Sequence, residues 1–303
     1  MQNGAPDGLA PVAKGARWRT GKNRRLLCDP CATPVLPVVK VFRPKMTIAA
    51  TTRLQLQIAA PIARIMLHNR PLNVIDLQMA RELQQTLSEI ESRADISVVV
   101  FKGEGSVFSA GVDIKAHLPE QIRKMLTSFH AAIRAIIASR KITIAAVRGA
   151  CLGGGAELAM ICDMVYTARD ATWGFPEIKL ACYPPVATVA LAALIGQKRA
   201  SELIFTGRQF SGDEAVAIGL ANRCARDEEL DGLIESVLAE LSCLSPAALL
   251  HAKKAVYAWD AIHFDKGLAR AEKIYLEELI STSDAREGII AFLEKRPPKW
   301  TGN

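Results

Sequence analysis

The chain has 303 residues, half of them hydrophobic, with 38 Lys/Arg against 31 Asp/Glu and a formal net charge of +7. This composition supports a sizeable core and excludes global disorder, and no stretch reaches the length of a membrane span, so a cytoplasmic protein without a membrane partner is expected. The charge excess lies in residues 1–45, where nine Lys/Arg face two acids and leave 29 of each sign in the rest; the basic pI therefore describes a tail, and nucleic acid is not an expected partner of the body.

Residues 1–45 show no hydrophobic periodicity. Their Arg-rich, acid-poor composition is that of a targeting peptide, but they contain no serine and little amphipathic pattern. A disordered basic arm and a true start at Met46 are the alternatives. Met46 is favoured, because organised sequence begins just after it. Cys28-Asp29-Pro30-Cys31 has the spacing of half a zinc site, yet no second CxxC or His pair accompanies it, and no metal is expected. Seven scattered cysteines make no disulfide framework; those in apolar runs read as free buried thiols.

Arg53–Ile58 alternates and Ala63–Leu67 is apolar, which predicts a hairpin followed by a turn at His68–Asn73. Asp76 is placed to cap a helix in which Leu77, Ala80, Leu83, Leu87 and Ile90 recur at helical spacing. Ile96–Lys102 reads as a buried strand, Met125, Phe129, Ile133 and Ile136 mark a second helix, and Ile142–Arg148 is another buried strand. Gly149–Gly155 leads into a helix at Ala156–Cys162, then a short strand at Met164–Ala168. Alternating strands and helices predict an α/β core. Beyond about Ala187 the pattern is almost entirely helical, with polar breaks near Gly207–Asp213 and Cys243–Pro246.

Two carboxylates stand out. Glu157 follows Gly153-Gly154-Gly155, between a buried strand and a helix, and Glu177 sits in Phe175-Pro176-Glu177-Ile178. A glycine turn lets a ligand approach the backbone, and the first N–H groups of a helix lack internal partners, so a developing oxyanion would be stabilised there. The triplet matches neither GxGxxG nor GxxxxGK[ST], which leaves nucleotide binding weak. Simple helix-terminus stabilisation would explain Glu157, and an ion pair with Lys179 would explain Glu177. Apolar neighbours instead suggest burial, which makes both acid/base candidates. His68, His117, His130, His251 and His263 are dispersed and read as surface or core positions.

From about Leu54 to the end, the chain resembles the enoyl-CoA hydratase/isomerase (crotonase) superfamily. The carrying motifs are His68-Asn69-Arg70-Pro71, Phe108–Lys115, Gly149–Asp163, Phe175–Ile178, Lys198–Gly219 and Phe292–Trp300. The resemblance implies a spiral of ββα turns, with the core at residues 46–245 and a helical trimerisation region at 246–303, in a homotrimer or dimer of trimers. It implies a CoA thioester substrate, with no cofactor besides the CoA that the substrate carries. The carbonyl oxygen would meet the backbone N–H groups of Val112 and Gly154. Ala110, Gly111, Asp113, Ile114 and Lys115 would line the pantetheine and adenine path, with Gly153, Tyr183 and Pro184 also against the substrate. Lys115 could meet the nucleotide or simply be solvated.

Hydratases of this superfamily carry both glutamates, whereas many isomerases keep the second alone, so hydration is expected. Glu157 would activate water and Glu177 exchange the proton with carbon. Lys179–Ala187 departs from the glycine-rich stretch of ordinary enoyl-CoA hydratases. Phe175-Pro176-Glu177-Ile178-Lys179-Leu180 together with Tyr183-Pro184-Pro185-Val186-Ala187 resembles cyclohexa-1,5-diene-1-carbonyl-CoA hydratases, and Ser109–Asp113 fits the same subgroup; a straight-chain hydratase with a variant loop is the alternative. Some members also bind RNA, a role open to the basic tail; the balanced body and the glutamate pair favour an enzyme.

Overall fold

A computed structural model describes residues 47–257 and 261–301. The expectations for the tail, including the CxxC and the start at Met46, lie outside these residues.

The strands are β1 (Thr47–Ala50), β2 (Leu54–Ala59), β3 (Ile62–Leu67), β4 (Val98–Gly103), β5 (Ile142–Val147), β6 (Ala150–Leu152), β7 (Met164–Ala168), β8 (Thr172–Gly174), β9 (Gln209–Ser211) and β10 (Arg223–Ala225). The helices are α1 (Leu77–Ser92), α2 (Ile122–Ala138), α3 (Gly154–Met160), α4 (Pro185–Ile195), α5 (Gln197–Thr206), α6 (Gly212–Ala217), α7 (Asp227–Ser242), α8 (Pro246–Val256), α9 (Ala261–Lys273) and α10 (Ser283–Leu293).

Seven strands form one sheet in the order β1-β2-β3-β4-β5-β7-β10. The hairpin β2–β3 is antiparallel, and its two strands alternate buried and part-buried residues. From β3 onward the pairing is parallel. β5 is buried at all six positions, as expected for a strand covered on both faces. The expected cap is present: Asp76 Oδ1 accepts from the Met79 N–H at 2.8 Å and starts α1, whose apolar stripe packs against α2.

A second, three-stranded sheet, β6-β8-β9, escaped the sequence reading. Its strands are three residues each, too short to show a period of two. β9 falls in the polar break near Gly207–Asp213, and β10 interrupts the region read as helical. Both are held by pairing with distant strands: Phe210 lies opposite Trp173, and Cys224 opposite Thr167. Trp173 is fully buried and donates its indole N–H to Thr167 Oγ1 at 3.0 Å, which ties the small sheet to the large one.

α9 packs on α4, and α10 lies against the turn that carries Glu177. α8 is anchored by Lys253, whose Nζ reaches Asp163 at 2.8 Å and the Lys141 carbonyl at 2.7 Å. Among the described residues no single helix is long and apolar enough to cross a membrane; α7 and α8 qualify only as a pair bent by 106°. The buried face of α7, including Leu230, Ile234 and Leu238, belongs to the main core.

Candidate active site

Glu157 and Glu177 are brought together by the small sheet. β6 and β8 run parallel with Leu152 opposite Gly174, so the chain leaves both strands at the same end. After β6 comes Gly153 and then α3, with Glu157 in its first turn. After β8 comes a 3-10 turn at Pro176–Leu180, with Glu177 second. The helix starts at Gly154, two residues earlier than the sequence pattern suggests, so the glycine triplet is both turn and first helical turn.

Gly153 has φ +50°, and a Cβ there would lie 2.6 Å from Glu177 Oε1. No other residue type satisfies both the left-handed backbone and that approach. At Gly154 a Cβ would lie 2.5 Å from a Val112 methyl, so the backbones of the two segments meet closely.

The segment 109–113 is threaded between two partners. Ser109 donates its N–H to the Ala150 carbonyl at 3.0 Å and accepts from the Leu152 N–H at 3.0 Å, and so lies along β6. On the other side the Gly111 carbonyl accepts from the Ile75 N–H at 2.9 Å, and the Asp113 N–H donates to the Ile75 carbonyl at 3.1 Å. Ala110 and Gly111 spend their N–H groups on the Leu72 carbonyl and Ser109 Oγ. The Val112 N–H has no protein acceptor among the described residues. Gly153 donates to the Gly174 carbonyl at 2.9 Å, whereas the next N–H, that of Gly154, has no acceptor either. Two unspent N–H groups therefore border the space occupied by the carboxyls.

That space is an inner cavity of about 80 Å³, lined by both glutamates, Ala110, Gly111, Val112, Ile114, Gly153, Gly154, Tyr183, Pro184 and Pro185, with Phe129 of α2 behind. An outer groove of about 640 Å³ shares Ala110, Val112, Ile114, Pro176 and Leu180 with it. Asp113 and Lys115 line the groove, not the cavity. Asp113 Oδ1 accepts from the Lys115 N–H at 3.0 Å and caps a 3-10 turn at Ile114–His117, so its carboxylate is partly spent on the backbone.

The carboxyls are treated unequally. Glu157 is buried, and its Oε1 accepts from the Ala187 N–H of α4 at 2.9 Å. Glu177 is half-buried as a residue, but its Oε2 is sealed from solvent and has no hydrogen-bond partner. Burial raises both pKa values, and the α4 N–H groups offset part of the rise at Glu157. The charge of Glu157 pushes Glu177 further up. Two acids in one apolar cavity resist ionising together, and the pull toward the protonated form is stronger at Glu177, which feels the charge of Glu157 as well as burial. Lys179 does not pair with Glu177; it is exposed and lines the outer groove.

Several residues of the site were not singled out in the sequence. His117 lines the inner cavity, in contrast to its reading as a dispersed histidine, and burial lowers its pKa, so it stays neutral and Nδ1 meets the Asp113 carbonyl at 3.1 Å. Tyr275 enters the same cavity from beyond α9. Phe292 and Arg296, which belong to the motif Phe292–Trp300 without having been given a role, wall the outer groove. The histidine-containing motif proves to be scaffolding. His68 and Arg70 both pair with Glu104, and Asn73 donates to the carbonyls of Glu104 and Val107, which shapes the loop leading to residue 109. Among the described residues no group of three or more His, Cys, Asp or Glu side chains is placed to hold a metal ion.

Residues 57–303 match the family described as Enoyl-CoA hydratase/isomerase. A cyclohexa-1,5-dienecarbonyl-CoA hydratase of Thauera aromatica is 35% identical over 241 residues, which span 79% of this chain and 92% of that protein. A probable enoyl-CoA hydratase of Bacillus subtilis is 34% identical over 257 residues, spanning 80% and 95%. The crystal structure of an enoyl-CoA hydratase from Mycobacterium avium subsp. paratuberculosis superposes with a TM-score of 0.75 at 25% identity, covering 83% of this chain and all of that one.

Proposed function

Because this chain belongs to the enoyl-CoA hydratase/isomerase family, we propose that it adds water to an α,β-unsaturated acyl-CoA thioester. The observation that carries the reading is the pair of buried carboxyls in one cavity bordered by two free N–H groups. In the proposed reaction the thioester oxygen lies between the N–H groups of Val112 and Gly154. Glu157, the more acidic carboxyl, takes a proton from water as the water oxygen bonds to the β-carbon. The π electrons move onto the thioester oxygen, where the two N–H groups stabilise the enolate; one such donor contributes about 3–4 kcal/mol to a transition state. Glu177 then delivers its proton to the carbon chain, at the α-carbon of a simple enoyl group or at the far end of the dienolate of a conjugated cyclic dienoyl group, which leaves a 1-ene product. Glu157 ends protonated and Glu177 ionised, and exchange of one proton between them restores the starting state. This chemistry calls for no metal or redox cofactor, because CoA arrives with the substrate. The outer groove, with Lys115 and Lys179, takes the pantetheine and nucleotide.

The acyl group we propose is a conjugated cyclic dienoyl. The support is the Tyr183-Pro184-Pro185 wall of the cavity together with the similarity to the Thauera aromatica protein. Proline at two consecutive positions stiffens that wall and leaves those two positions without an N–H donor. A second reading, a short straight-chain acyl group, is favoured by volume: about 80 Å³ is less than the roughly 150 Å³ of a cavity that holds benzene. Crotonyl-CoA and cyclohexa-1,5-diene-1-carbonyl-CoA offered side by side decide it, with product followed by the mass of one water. Turnover of the cyclic substrate alone supports the first reading, and of crotonyl-CoA alone the second. If neither gains water, the hydratase reading falls and isomerase substrates come next. For assembly we propose a homotrimer or dimer of trimers, supported by Phe205 and Val256, each 72% exposed; a monomer in sedimentation equilibrium would refute it.

A further inference from the structure

Tyr275 is 1% exposed, and its hydroxyl has no hydrogen-bond partner among the described residues. A buried hydroxyl without a partner is costly, and native structures leave few unexplained. The Cys182 thiol lies beside it without meeting hydrogen-bond geometry and is itself turned to the Leu180 carbonyl at 3.5 Å. Tyr183 does not satisfy it either: the two rings meet edge to face at 5.2 Å, and the Tyr183 hydroxyl donates to the Ala271 carbonyl at 2.6 Å. Tyr275 stands in a π-helical turn, Ile274–Glu278, which follows α9 directly. Such turns shift the helical register and recur at functional sites.

Of the side chains that line the inner cavity, two carry a buried polar atom without a partner among the described residues, the Tyr275 hydroxyl and Glu177 Oε2. One is a donor and the other a carboxyl oxygen, so together they match an occupant oxygen that both accepts and donates. The wall formed by Pro184 and Pro185 supplies no N–H for this purpose.

We propose that the Tyr275 hydroxyl binds the oxygen that hydration places on the β-carbon, holding the water before attack and the product hydroxyl afterwards. This rests on the hydratase reading above and assigns to that site a residue from the C-terminal helical region. Burial holds the phenol neutral, with the neighbouring Cys182 and Glu177 adding to the effect, so it remains a donor through the working pH range.

The test compares two ligands that differ by this one oxygen. If crotonyl-CoA turns over, 3-hydroxybutyryl-CoA and butyryl-CoA are titrated calorimetrically into the full chain and into Tyr275→Phe. If only the cyclic dienoyl thioester turns over, its hydrated product and cyclohex-1-ene-1-carbonyl-CoA take their place. The wild type should prefer the hydroxylated ligand by roughly 10-fold, the size of one neutral hydrogen bond. Tyr275→Phe should lose that preference, bind the other ligand within about 2-fold of wild type, and hydrate with lower kcat at unchanged KM. Equal weakening of both ligands would reveal a merely structural ring and overturn the proposal. So would a preference retained in the variant, or no preference in the wild type, a readout that needs no variant to fold. Wild-type hydration with any of these results removes Tyr275 alone. Absence of hydration by the wild type removes the premise and this inference with it.

Discussion

Ala110, Val112, Ile114, Pro176 and Leu180 line both the inner cavity and the outer groove, yet the charges on their two sides differ in sign and in burial. Inward are two carboxyls with no cation beside them among the described residues, in a cavity of about 80 Å³. Outward are Lys115 and Lys179, both exposed, and Arg296, which is held by Glu287 and Glu294. A charge in low dielectric perturbs its neighbours by several kcal/mol, whereas an exposed one is screened within about 10 Å at 0.1 M salt. The cavity therefore suits the proposed proton chemistry, and the groove the weak attraction of an anionic ligand.

Substitutions should separate the two regions by size of effect. The largest is expected for Glu157→Gln, which keeps volume and removes the proposed base. Hydration kcat should fall about 10³-fold with KM little changed, as for loss of a general base; a variant with a tenth of wild-type activity would refute the assigned role. Next is Gly153→Ala. Its Cβ would enter the space of Glu177 Oε1 on a backbone already at φ +50°. Displacing a reacting group by about 1 Å can cost roughly 100-fold, so kcat should drop by that order while the protein remains folded by circular dichroism.

The pH profile of the cavity comes third. The active pair holds one proton. Below the lower pKa a second proton neutralises Glu157 and the rate falls; above the upper one Glu177 loses its proton and the rate falls again. A bell-shaped kcat/KM profile is expected, and Glu177→Gln should abolish its alkaline limb. Stability follows the same shift. A carboxyl whose folded pKa is raised binds more protons folded than unfolded, so stability is lost as pH rises from the usual carboxylate value through the raised one. Glu177→Gln should therefore raise Tm at pH 8 by about 2–4 °C, the effect of 1 kcal/mol in a domain of this size, and leave it unchanged at pH 5. Equal shifts at both pH values would show that this charge is not under desolvation stress. The smallest effect belongs to the groove. Lys115→Ala should raise KM for the acyl-CoA about 3-fold, corresponding to the fraction of a kcal/mol typical of an exposed charge. It should also flatten the salt dependence of kcat/KM and leave kcat alone. A change in kcat would bring Lys115 into the chemistry.

Much of this was legible along the chain because the signals are local. Asp76 as a cap, the alternating hairpin and the wholly buried β5 follow from side-chain spacing within single elements. Phe108–Lys115, the glycine triplet and Pro176-Glu177 marked their positions by residue type. Tyr275 carried no such mark, since one tyrosine in a helical run has the pattern of any half-buried aromatic. Nor did His117, whose place in the cavity depends on the 3-10 turn capped by Asp113.

The residue order by itself determined which groups are available: two carboxyls in apolar settings, glycines able to take positive φ, and two prolines that withhold N–H donors. Tertiary structure decided which of them meet. Parallel pairing of β6 with β8 puts Glu157 and Glu177 at one sheet end. The threading of residues 109–113 between β6 and Ile75 leaves Val112 as the one N–H of Ala110–Asp113 without an acceptor among the described residues. Packing of the C-terminal helices delivers Tyr275 to the cavity, nearly a hundred residues beyond Glu177. Three-residue strands and long-range contacts have no periodicity of their own. Their stability comes from the partners they pair with, so they become visible only once those partners are in place.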